Sequence, residues 1–262
     1  MNRTLATASK NNERILLLTH TPFGINEVWL YRFYELHYEQ KLLSILEKYS
    51  DRILMCLTGH RHQDTFRVYS SSNRTIGILG HPAITPISRL SHPSIRRYVY
   101  RRTSLVLIDY DQYSLNLAEA EHRDLDQWRF AYRFSSWYHQ GHELTSATLL
   151  ELVHLIRRNS FYLRRFLITR HHAEQPKLTN HSIIQMLCAL TLFHFDEFLF
   201  CTRFFEKKNL HYRNFIWTNS SDINVFLDEQ MTEKRSLSRA ILLVVIFLLI
   251  FISLYRHVAF LN

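Results

Sequence analysis

Short continuous apolar runs and alternating stretches fill the first half of the chain, and helical periodicity fills the second. Residues 14–19, holding Ile15, Leu16, Leu17 and Leu18, and residues 52–57, holding Ile53, Leu54, Met55, Cys56 and Leu57, have the length of buried strands. Between them, residues 26–49 place Val28, Leu30, Phe33, Leu36, Leu42, Leu43, Ile45 and Leu46 near a 3.6 period, which predicts a helix. Residues 65–70 and 75–79 flank a polar turn and predict a hairpin. Strands at 98–100, 105–110 and 113–117 continue the sheet. From residue 124 the pattern turns helical, over 126–134, 146–157, 160–168 and 182–205, the last broken near His194. Residues 209–236 read as a linker. Residues 240–255 then run without a charge; extended back to Leu237 they approach the ~20 apolar residues that a bilayer-crossing helix needs. No polar face appears there at any helical period, so a single transmembrane helix at 237–256 is expected, with a cleaved lipid-anchor signal as the rival reading.

Composition adds two facts. Hydrophobic content is 47 %, with 18 Phe and 14 Tyr, enough for a core, and formal net charge is +9. The excess sits in pairs such as Arg96-Arg97, Arg101-Arg102, Arg157-Arg158 and Arg164-Arg165. Such a balance attracts phosphate-bearing ligands or anionic head groups, although most of these pairs read as solvated faces. No nucleic-acid motif accompanies them, and three cysteines give no zinc-finger spacing, so no nucleic-acid partner is expected. The chain has five glycines, far below the usual ~7 %. Two of them mark the ends of the two apolar runs: His20-Thr21-Pro22-Phe23-Gly24 after the first, and Gly59-His60-Arg61-His62 after the second. Strand ends present side chains to ligands, and imidazole is the commonest protein ligand for zinc-like metals. His20, His60 and His62 are therefore a candidate metal site, whereas His171-His172 reads as an accident of sixteen histidines.

These residues also resemble a family. His20 to Gly24 looks like the His-x-Pro-x-Gly motif of calcineurin-like metallophosphoesterases. Gly59 to His62, with Asp64 and Phe66, looks like the Gly-His-x-His-x-Asp-x-Phe segment of the acid sphingomyelinase-like branch. His81 to Pro86, Pro93 to Arg96, Asp109 to Leu117, Trp128 to Phe134 and the pair Cys188/Cys201 resemble further segments of that branch, in the same order.

The resemblance implies metal-dependent hydrolysis of a phosphodiester, possible substrates being a sphingolipid or a nucleotide. It implies two zinc ions, with His20 and His60 on one and His62 on the other, and a disulfide between Cys188 and Cys201. The family's Asp-x-His, bridging Asp and Asn-His-Glu precede the His-x-Pro-x-Gly motif, and residues 1–12 hold none of them. The chain thus reads as the C-terminal half of a two-metal site, with hydrolysis by this chain alone not expected and a catalytically inactive or lipid-binding descendant as the alternative. The expected architecture is α/β: half of a metallophosphoesterase β-sandwich over 1–123, a helical subdomain over 124–208, the linker, and the transmembrane helix. Sequons at Asn73, Asn180 and Asn219, with the disulfide, favour a lumenal or extracellular, single-pass membrane protein if a signal peptide lies upstream, and a tail-anchored one otherwise.

Overall fold

The two apolar runs form β1 (Ile15–Thr19) and β4 (Ile53–Thr58), paired in parallel. The computed structural model describes residues 1–71, 74–85, 92–117, 119–120, 128–141, 143–170 and 178–207. Two strands of the hairpin follow, β5 (Thr65–Ser71) and β6 (Arg74–Gly80), and the sheet order is β1-β4-β6-β5. Strand β6 lies parallel to β4 and antiparallel to β5. A parallel order needs crossover connections, and helix α2 (Leu36–Lys48) supplies the one between β1 and β4. Its Leu43 and Leu46 join Ile53, Cys56, Ile76 and Ile78 of the sheet, Phe23 of the first turn and Phe193 in one buried cluster. Leu5 of an N-terminal helix α1 (Asn2–Lys10) caps that cluster.

A second sheet of three antiparallel strands comprises β7 (Ser94–Tyr100), β8 (Leu107–Ser114) and β9 (Arg129–Arg133). Helices α3 (Phe134–Tyr138), α4 (Ser146–Arg158), α5 (Ser160–Arg170), α6 (Asn180–Ala189) and α7 (Phe195–Lys207) follow. Thr145 caps α4 by accepting from the Thr148 amide, and Thr179 forms a capping box with Ser182 at the start of α6. The aromatic stretch near α7 is core: Phe193, Phe198 and Phe205 are buried. Cys188 of α6 and Cys201 of α7 are joined by a disulfide.

Three expectations are corrected. Residues 26–35 are not helical. They form a small hairpin, β2 (Ile25–Asn26) with β3 (Tyr31–Arg32), because the Asn26 carboxamide accepts from the amides of Val28 and Trp29 and closes a turn instead. Residues 129–133 are a strand, since Arg133 finds Asp111 and buried Tyr132 lies opposite Gln112 of β8. Finally, no helix among the described residues is long and apolar enough to cross a membrane. The 13-residue helices α2, α4 and α7 would span about 20 Å against ~30 Å of hydrocarbon, and each has a polar face. That finding overturns the transmembrane fold element and the single-pass membrane localisation; residues 237–256, on which both rested, lie outside the described residues, as do Asn73 and Asn219.

Candidate functional site

Because β1, β4 and β6 run in parallel, their C-terminal ends open on one side of the sheet. Ligands of open α/β sheets bind at such strand ends. The next residues along the chain are His20 after β1, Gly59 and His60 after β4, and His81 after β6. The Gly59 amide donates to the His20 carbonyl at 2.9 Å, tying the first two turns together. Gly24 has φ +89°, and a Cβ there would come to 3.0 Å from Phe193, so only glycine fits. At Gly59 a Cβ would meet His20 at 3.6 Å, an ordinary contact, so no steric demand for glycine exists there.

His60 and His62 both take left-handed backbone conformations, φ +64° and +52°. Such conformations cost about 1–3 kcal/mol in a residue with a side chain and cluster at functional sites. They turn the two imidazoles out of the strand line. The His60 Nδ1 lies 3.3 Å from the His20 Nε2, and both side chains are exposed. Partial desolvation first, then the neighbouring His20, Arg61 and His62, hold the His60 pKa below the usual histidine value, which favours the neutral, ligand-competent ring. His62 stands apart from this pair in its bonding: its Nδ1–H donates to the Thr85 carbonyl, which fixes the tautomer and leaves Nε2 as the acceptor.

The third strand end behaves differently. The His81 Nδ1–H donates to the Thr58 carbonyl at 3.0 Å, and its Nε2 accepts a hydrogen bond from the Tyr98 hydroxyl. Burial, followed by the charge of Arg96, pushes its pKa down to about 4. Both ring nitrogens are occupied, so His81 is a neutral strut between the two sheets. Asp64, from the same motif as His60 and His62, is buried and pairs with Arg96 at 2.7 Å while accepting from Tyr132.

Beneath the histidines lies a charge cluster that sequence patterning did not reveal. Glu27 is buried and contacts Arg61 of the turn after β4, Arg67 of β5 and Arg170 of α5. Burial alone would raise its carboxyl, but Arg170, Arg67 and Arg61 together outweigh that and hold it at about 2. Arg61, conversely, falls to about 10: burial lowers it most, Glu27 pulls the other way, and the charges of Arg170 and Arg67 lower it further; burial lowers Arg67 too, against the pull of Glu27. The two directions agree physically: one carboxylate is over-supplied with cations. Arg67 also donates to the carbonyls of Phe23 and Ile25, holding the Pro22–Gly24 turn. No periodicity marks Glu27; an isolated carboxylate between Asn26 and Val28 was the only trace.

His20 and His60 fit a zinc ion as one edge of its shell. Two nitrogens bound at about 2.0–2.1 Å with a tetrahedral angle lie about 3.3–3.4 Å apart, and the observed separation is 3.3 Å. They do not complete the shell, since among the described residues no group of three or more His, Cys, Asp and Glu is placed to hold a metal.

No protein-family model matches the chain. Among curated proteins it is similar to sphingomyelinase phosphodiesterase C of Dictyostelium discoideum, 31 % identical over 181 residues, 63 % of this chain and 40 % of that protein. Human cyclic GMP-AMP phosphodiesterase SMPDL3A is 30 % identical over 149 residues, 53 % of this chain and 32 % of that protein. Mouse acid sphingomyelinase-like phosphodiesterase 3b is 23 % identical over 212 residues, covering 75 % and 46 %. The matches span less than half the length of each relative.

Proposed function

We propose that this chain, whose curated homologues are acid sphingomyelinase-like phosphodiesterases, carries the histidine edge of a metal-dependent phosphodiester-hydrolysing site. The observation that supports this most is the 3.3 Å approach of His20 Nε2 and His60 Nδ1, from the ends of adjacent parallel strands. In this reading the pair holds one zinc ion, and His62, its Nδ1 committed to Thr85, offers Nε2 to a second. Bound zinc would supply Lewis acidity toward a phosphoryl oxygen. The chain's own contribution is to aim the imidazoles, and to keep Arg61 engaged with Glu27 so that it does not crowd them.

Sphingomyelin and cyclic GMP-AMP, named for the relatives, define the substrate class proposed here: a phosphodiester of a lipid or a nucleotide. The two-donor edge favours a second reading as well, a homologue that binds metal without turnover. Zinc titration by calorimetry, with bis(p-nitrophenyl) phosphate as the hydrolysis probe, separates them. Saturable zinc binding that weakens by more than the ~10–100-fold of a second-shell change in His20→Ala and His60→Ala supports the metal site. Zinc-dependent release of p-nitrophenol then selects the enzyme, and binding without release selects the silent homologue. Zinc affinity untouched by both substitutions would discard the site altogether.

A further inference from the structure

The buried layer beneath the histidine turns carries more positive charge than its carboxylates balance. Glu27 pairs with Arg61, Arg67 and Arg170, whose side chains are only 10 %, 7 % and 4 % exposed. One carboxylate against three guanidinium groups leaves an excess of two positive charges. The neighbouring Glu39 accepts from the Gly24 amide at 2.6 Å, and burial raises its pKa, which favours the neutral acid. Counted as ionised, it would still leave one positive charge over. The donors are in excess as well. Both Glu27 oxygens are shared, Oε1 by Arg61 and Arg170 and Oε2 by Arg61 and Arg67. The Arg170 Nε is buried without an acceptor among the described residues. The Thr65 hydroxyl accepts from Arg170 at 3.0 Å and keeps its own proton to donate. Against these groups lies a small cavity lined by Glu27, Arg61, Thr65, Arg67, Phe66 and Ile78, with room for about one water-sized body.

We infer that this cavity binds one small monovalent anion of the halide class, held between Arg61, Arg67 and the Thr65 hydroxyl. Charge, donors and size each point that way. Buried cations without counter-charge are costly, and an anion among them restores the balance. A water molecule would fit the space but bring no charge. A phosphate or sulfate would bring charge but is too large for it. Chloride is little larger than water, carries a single charge and accepts from several N–H and O–H donors at once. Glu27 also lines the cavity, but its carboxylate is outnumbered by the cations on it, so an anion there is attracted on balance. None of His20, His60 and His62 lines the cavity, so the inference stands apart from the metal site and goes beyond the phosphodiester reading.

The test is urea unfolding of the full chain at pH 7, with a chelator present, in sodium chloride against sodium gluconate. Both salts are monovalent, so matched concentrations screen the surface charge of the chain equally, and gluconate is too large for the cavity. The urea midpoint should rise in chloride above its value in gluconate, and the rise should follow the saturation curve of an anion that binds only the folded chain. Arg61→Met and Arg170→Met each remove one cation and should weaken the apparent chloride affinity about tenfold or more. Arg97→Met, at an exposed arginine of β7, should leave it unchanged. A measurement on the native chain guards against variants that do not fold: crystals grown in sodium bromide should show an anomalous peak in the cavity, within reach of Arg61 and Arg67. Equal midpoints in the two salts, a chloride effect indifferent to folded Arg61→Met and Arg170→Met, or bromide peaks on the surface only would each overturn the inference.

Discussion

Glu27 links the histidine turns to the rest of the molecule at the scale of single residues. Its carboxylate neutralises part of the charge of Arg61, Arg67 and Arg170, and Arg61 stands between His60 and His62 in sequence. Removing one partner of a buried ion pair costs about 3–5 kcal/mol, because the survivors are left uncompensated. Glu27→Gln is therefore expected to lower unfolding free energy by that order, measured by urea titration at pH 7. The same carboxylate predicts a pH dependence. Its folded pKa, about 2, lies below the ordinary value of 4.5, so the unfolded chain takes up the proton first. The stabilisation is complete above about pH 4.5 and is lost as pH falls toward 2, amounting to about 3 kcal/mol. Urea midpoints measured from pH 6 to 2 should fall through that window in the native chain. In Glu27→Gln this part of the slope should vanish. The histidines were legible before the structure because glycine, apolar run and imidazole recur together at 20–24 and 59–62. Glu27 was not, since its three partners lie 34, 40 and 143 residues away and nothing local records them.

At the scale of elements, helices α6 and α7 are bound by the Cys188–Cys201 disulfide, whose sequence separation is 13. A closed loop of about that size stabilises by roughly 3 kcal/mol in the chain-entropy account. Reduction, or Cys188→Ser with Cys201→Ser, is expected to lower stability by that order in urea titration. The third cysteine gives a sharper check. Cys56 is fully buried in β4, and burial pushes its thiol up to about 12, so it is neither exposed nor ionised at neutral pH. A thiol reagent at pH 8 should titrate none in the native chain, one after unfolding and three after unfolding with reduction. A native thiol reacting rapidly would disprove this arrangement. Most elements were legible from periodicity: β1, β4, the β5–β6 hairpin and α4 to α7 follow their patterns. The failures at 26–35 and 129–133 share a cause. In each, apolar spacing suits a helix, while a specific polar partner elsewhere (the Asn26 carboxamide, or Asp111 for Arg133) fixes extended backbone instead. Periodicity reports which residues are apolar; it does not report where a side-chain hydrogen bond will outbid the helix.

Across the whole molecule, the two sheets are connected by polar groups that the sequence offered only as motif letters. Asp64 follows His62 by two residues and, at 5 % side-chain exposure, receives Arg96 of β7 at 1 % exposure and the hydroxyl of Tyr132 from β9. Arg96 in turn lies 3.8 Å over the ring of Tyr110 from β8, so all three strands of the second sheet converge on one carboxylate of the first. His81 adds a parallel link, from Thr58 to Tyr98. These contacts predict that the second sheet is coupled to the turn that presents His60 and His62. The pair itself need not be stabilising relative to apolar residues of the same volume, because desolvating two charges offsets their attraction. Its removal from one side is a different matter. Asp64→Ala should cost about 3–5 kcal/mol by leaving Arg96 buried and unpaired, and Arg96→Met should cost a comparable amount by leaving Asp64 so. The double variant should lose clearly less than the sum of the two, a coupling that a double-mutant cycle in urea measures directly. Hydrogen exchange adds the spatial test: in Asp64→Ala, amides of β7 to β9 and of residues 59–63 should lose protection together, while β1 and α2 retain theirs. Additive losses, with protection falling evenly over both sheets, would mean that the carboxylate is merely one more buried group and does not couple the second sheet to the histidine turn.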